Sequence, residues 1–240
     1  MIKVNYLFCI TIAVLTNLFC FIPSYAVEND LGLWSAVNIN APITEKFQSK
    51  FQFSPRWVDN ITDFNQFILH ALLGYKFNKH FSFFQGYAWS TTYIPHFKRE
   101  QRPYQELNFY HDVKKLSLEH RFRFEERFLQ DIEGITLRGR YRLKGIYPLD
   151  KNRKWSLIAF DELFLNFNSH FGGPQRGIDQ NRIYIGLNRR LNENVSLEGG
   201  YQLQQRFTSG PSNPYKQDLL NHFLVVYLNF SLPEMFHNHR

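Results

Sequence analysis

Beyond residue 26 the chain contains no cysteine, because Cys9 and Cys20 are its only two. Disulfide stapling and cysteine-built metal centres are thereby excluded from the rest of the molecule. No apolar run after residue 26 approaches the ~20 residues of a helical membrane span, and the mean hydropathy is −0.38. No linker, low-complexity tract or composition break divides the chain, which argues for one domain. Glycine-rich phosphate loops, paired-carboxylate sites and clusters with metal-ligand spacing are also missing. His237 and His239 are too few to build a metal site. No cofactor or metal is expected. Bases outnumber acids, 28 to 21, yet the arginines interleave with aromatics at strand spacing and form no nucleic-acid-binding motif, so nucleic acid is disfavoured as a partner.

What the sequence does have begins with an export signal. Lys3 supplies a positive start, Tyr6 to Ile22 an apolar core, and Pro23, Ser24, Tyr25 and Ala26 a small-x-small ending. Cleavage is expected before Val27, making 1–26 a signal peptide. The bulky Asn17, Leu18 and Phe19 ahead of Cys20 speak against a lipid anchor. About 214 residues remain, read as one β-barrel over 27–232 followed by a tail over 233–240.

That domain is rich in aromatics, 18% of the whole chain, and they alternate with polar residues. Residues 116–128 read LSLEHRFRFEERF. One face carries Leu116, Leu118, His120, Phe122, Phe124, Glu126 and Phe128; the other carries Ser117, Glu119, Arg121, Arg123, Glu125 and Arg127. Successive strand side chains point to opposite faces, so the segment is an extended strand between an apolar and a polar medium. Eleven segments are strand candidates, from 31–40 to 218–232, and the vaguest is the first. Short junctions at Asn78 and Lys79, Val113 and Lys114, and 191–194 alternate with longer ones at 94–103, 168–178 and 208–216. Bacterial single-chain barrels have even strand numbers. The expectation is therefore an all-β, single antiparallel up-and-down transmembrane β-barrel with 12 strands, 10 being the alternative.

Charges assign the faces. An Arg or Lys facing lipid at the midplane costs roughly 2–4 kcal/mol, so Arg138, Arg140, Arg142 and Lys144, which share one face, should point into the lumen. Joining the sixth and seventh strands through residues 129–134 gives a register whose partners sum to 263, setting Glu125 opposite Arg138 and Glu119 opposite Lys144. Arg123 and Arg140, and Arg121 and Arg142, then become like-charged neighbours, an unfavourable arrangement unless further acids reach in. Glu162 and Glu198 are the candidates, with Glu162 facing Arg182. The expected site is thus a lumen charge network that is either structural filling or the lining of a narrow pore. Asp161 interrupts an apolar face, for which a bulge or rim position is expected.

The run EHRFRFEERF, then RGRYRL, DELFLNF, DQNRIYIGL, LEGGYQLQ and NHFLVVYLNF together resemble a bacterial family of uncharacterised exported proteins, a domain of unknown function whose members are expected to be outer-membrane barrels. The resemblance covers nearly all of the chain after the signal. It implies a fold and the outer membrane of a Gram-negative cell as location, and no activity.

Three functional classes follow. The first is a non-enzymatic outer-membrane barrel, in contact with outer-membrane lipids, that is either a pore favouring small anionic solutes or a closed scaffold. The second is an outer-membrane lipid hydrolase or deacylase, for which His80 and Ser82, read as one face of a strand, are the nearest thing to a catalytic pair. The third is a soluble periplasmic lipid-binding β-barrel with inverted faces, which long strands disfavour. Enzyme is the minority reading, and oligomeric state is not legible.

Overall fold

Side chains that alternate between two media hold the backbone extended, and a sheet of such strands has free edges unless it closes on itself. In the computed structural model it closes. The structure describes residues 31–207 and 219–234; the expected signal peptide, the connection 208–216 and nearly all of the tail lie outside them. The strands are β1 Leu31–Pro42, β2 Phe47–Val58, β3 Asp63–Lys76, β4 Phe81–Thr92, β5 Lys98–Val113, β6 Leu116–Leu129, β7 Thr136–Pro148, β8 Trp155–Asn166, β9 Gly177–Arg190, β10 Val195–Arg206 and β11 Leu219–Ser231. Each pairs with its chain neighbours, and β1 meets β11.

The count among the described residues is therefore eleven, not twelve or ten. An even number follows only when the closing pair is antiparallel. Here β1 and β11 run the same way and pair in parallel from Leu31 beside His222 to Asn40 beside Ser231, so the expected all-antiparallel sheet has one parallel seam. A parallel ladder satisfies the two edges as completely as an antiparallel one. Side chains reinforce the seam: Asn38 donates to Asn229 Oδ1 at 2.8 Å, Gln52 donates to Asn38 Oδ1 at 2.8 Å, and the Trp34 and Phe223 rings lie 4.3 Å apart. The long connection expected at 94–103 also shrinks, because β5 starts at Lys98.

Polar side chains and a set of large rings, Trp34, Phe84, Tyr104 and Phe164 among them, face the interior, while Leu73, Phe122, Ile185 and Leu187 stand exposed on the outer wall. Asp161 stays on that outer wall mid-strand, and its carboxylate accepts a 2.7 Å hydrogen bond from Asn181; the β8 register shift lies elsewhere, at Phe164 and Leu165. Aromatics gather at both rims. Trp57, Phe64, Tyr93 and Phe97 make a chain of ring contacts near one end, and Phe47, Tyr75 and Phe77 another near the opposite end. In the connection after β7, the exposed Asp150 carboxyl lies below its ordinary range because the backbone N–H groups of Lys154 and Trp155 donate to it.

The interior is filled by aromatics resting on glycines. Tyr104, fully buried, occupies the space above Gly86, where an added Cβ would sit 2.3 Å from its ring; Gly74 makes the same room for Phe84. Both rings are buried. Gly86→Ala is expected to destabilise the barrel by about 1–3 kcal/mol through overpacking, seen as a lower temperature for the heat-induced shift in gel mobility.

Candidate functional site

Eleven strands enclose a lumen cavity of about 800 Å³ lined by twelve Lys and Arg side chains and six carboxylates. The β6–β7 register is the one whose partners sum to 263, so Glu125 lies opposite Arg138, Glu119 opposite Lys144, and Arg123 and Arg121 opposite Arg140 and Arg142. The like-charged neighbours coexist because their heads diverge to different acids. Arg123 turns to Glu106 on β5, with Nη2 2.6 Å from Oε2. Arg140 bridges two carboxylates, placing Nη1 2.7 Å from Glu125 and Nη2 2.7 Å from Glu162. Arg121 reaches Glu162 at 2.5 Å, and Arg142 pairs with Glu119.

Glu125 is the hub. Its side chain is fully buried, Arg138 contacts it at 2.6 Å and Arg140 at 2.7 Å, and Arg102 and Arg123 stand 3.8 Å away. Arg138 also reaches Asp179 at 3.4 Å. Glu162 lies opposite Arg182 on β9, but its carboxylate is turned to Arg121 and Arg140. Lys144 lines the cavity, and Glu198 is buried on β10, on the lumen wall away from this cluster. Three acids escape the sequence reading: Asp179 on β9 and, on β5, Glu106 and Glu100, the last binding Arg127 at 2.6 Å and Arg102 at 2.9 Å. Residues 98–103 look like a polar loop bounded by prolines. The inward series Glu100, Arg102, Tyr104, Glu106, Asn108 is the signal that would have found the two on β5.

Aromatic rings complete the lining. Phe164 lies under Arg138, Arg140 and Arg182; Tyr104 under Arg123; Phe84 under Lys50; and Trp34 under Arg56 and Arg182, at 3.8 and 4.7 Å. Such stacking steadies a planar guanidinium without neutralising it.

His80 and Ser82 do not share a strand face. β4 starts at Phe81, so His80 belongs to the preceding turn, where Nδ1 lies 2.9 Å from the Tyr110 carbonyl. Ser82 is buried inside, its hydroxyl 3.5 Å from that of Tyr110. His70 meets the Tyr104 hydroxyl at 3.0 Å, a contact within the lumen. Among the described residues no group of three or more His, Cys, Asp or Glu could hold a metal ion.

The family described as a protein of unknown function, DUF2490, matches residues 31–215, which is every strand but β11. The chain belongs to this family. An uncharacterised protein of Methylorubrum extorquens is 29% identical over 156 residues, covering 62% of this chain and 68% of its own. Among solved structures, the NanC porin superposes with a TM-score of 0.53 at 10% identity, covering 85% of this chain and 99% of its own. At that identity the likeness is one of fold, and this member of DUF2490 has a porin-like barrel.

Removing one charge at the hub leaves its arginines buried and unbalanced. Glu125→Gln is expected to cost about 3 kcal/mol in urea-induced unfolding, and adding Arg138→Gln to it should restore part of the loss. Strict additivity of the two substitutions would show that they do not act as one network.

Proposed function

We propose that the protein is a non-enzymatic outer-membrane β-barrel whose lumen is a narrow pore favouring small anions. Three features support the membrane placement: strands of 12 to 16 residues, long enough to cross when tilted; an apolar outer wall; and aromatic clusters at both rims, the girdle pattern of such barrels. The inward charges argue against a soluble barrel with a lipid-binding interior, which would need the opposite faces.

The observation that carries the pore reading is the imbalance of the lining, twelve cations against six carboxylates. Burying Glu125 beneath them does not restore neutrality. A water-filled passage with fixed positive charge concentrates anions and repels cations, and low-dielectric walls sharpen the effect. Outer-membrane lipids are the partner of the wall, and small anionic solutes that of the lumen.

Two measurements test this. Membranes of cells making the protein should release it to detergent and not to high salt, and recovery in the soluble periplasm would overturn the placement. In planar bilayers under a potassium chloride gradient, the purified protein should conduct with a reversal potential displaced toward chloride. Well-folded protein that stays silent would identify a closed scaffold.

A further inference from the structure

The carboxylates of the lumen are spent unevenly. Glu100, Glu106, Glu119, Glu125 and Glu162 all serve arginines of β5, β6 and β7. Arg56 on β2 and Arg182 on β9 belong to no ion pair among the described residues. Each instead donates to one neutral amide: Arg56 Nη1 to Gln66 Oε1 at 3.0 Å, and Arg182 Nε to Gln204 Oε1 at 3.1 Å. Their guanidinium carbons lie 3.8 and 4.7 Å from the ring of the same tryptophan, Trp34. Two cations without an ion-pair partner are thus held against one indole ring in the cavity.

This arrangement has a cost that the fold itself does not offset. A guanidinium has five N–H donors, and each of these two spends one on an amide. Arg56 Nε is buried with no acceptor, and so is the amide nitrogen of Gln202. Gln202 adjoins Gln204 on the β10 lumen face and lies beside Phe223, whose ring is 4.3 Å from that of Trp34. Gln66, Gln204 and the indole fix the orientation of both forks, and Glu162, opposite Arg182 in register, is turned to Arg121 and Arg140; with no carboxylate at ion-pair distance, an anion that completes the set is favoured.

We propose that Arg56 and Arg182, held over Trp34, form a binding site for an oxyanion, the carboxylate or phosphate group of a solute in the lumen. It deepens the pore reading by placing the anion at this pair and not along Arg138, Arg140 and Arg142, whose charge is committed to Glu125, Glu119 and Glu162. It rests on that reading only in requiring that anions reach the lumen.

The test is calorimetric titration of the full protein in detergent micelles at low ionic strength, with inorganic phosphate in one arm and acetate in the other. Wild type should show saturable binding of at least one of the two, and the arm that binds identifies a phosphate- or a carboxylate-bearing solute. Arg56→Gln and Arg182→Gln should each weaken it roughly tenfold or more, the loss of a charge-assisted hydrogen bond. Arg176→Gln, on the exposed connection before β9 and outside the cavity, removes the same charge and should change affinity by less than about twofold, and heat-dependent gel mobility reports that each variant is folded. Absence of saturation in both arms, or equal weakening by Arg176→Gln, would overturn the site. Binding that depends on Arg56 and Arg182 in a protein silent in bilayers would sustain the site and overturn the pore. Conductance in a wild type that saturates with neither anion would do the reverse.

Discussion

An arginine turned toward hydrocarbon at mid-membrane costs about 2–4 kcal/mol, and this chain places arginines at alternate positions along β6 and β7. Facing them inward removes that cost and creates another, because a lumen of about 800 Å³ brings the guanidinium groups close together. The rest of the interior answers this crowding. Glu125 and Glu162 each accept from two arginines, which lets like-charged register partners separate toward different acids. Rings of Phe164 and Tyr104 carry the cationic planes between those bridges. Gly86 on β4 then makes room for Tyr104, so backbone composition on β4 is tied to the charge of Arg123 on β6.

The lumen consequently has two unlike walls. From β5 to β8 it is ionic, its arginines paired with carboxylates of the same strands. From β9 through β10, β11, β1, β2 and the start of β3 it is lined by amides such as Gln202, Gln204, Asn38, Gln52 and Gln66, with Trp34, Arg56 and Arg182 among them. Structural and functional charge are therefore separated within one ring of strands, and a high local count of arginines does not mark the responsive ones.

Much of this was legible in residue order. Period-two alternation in 116–128 gave the strand and its faces, and the turn over 129–134 fixed the β6–β7 register, because one residue of slip would have put arginines on the apolar side. Glu162 could be placed for the same reason. Glu100 and Glu106 were hidden, since prolines at 95 and 103 and outward-facing Gln101 and Gln105 blur the alternation of β5. The strand count failed because parity presumes an antiparallel closure, and no local pattern announces a parallel one. Trp34 and Arg182 are brought together through the seam, a contact of long sequence separation that periodicity does not encode.

That seam has a further consequence for how the molecule comes into being. Trp34 and Arg56 belong to the first two strands, Arg182 to the ninth, and nothing joins them until β11 lies against β1. A partly assembled sheet already holds the ion pairs of β5 through β8, which are contiguous in the chain. The cationic pair over the indole exists only in the finished ring. Binding competence is thus a certificate of closure: the arrangement exists only where the wall that contains it is complete.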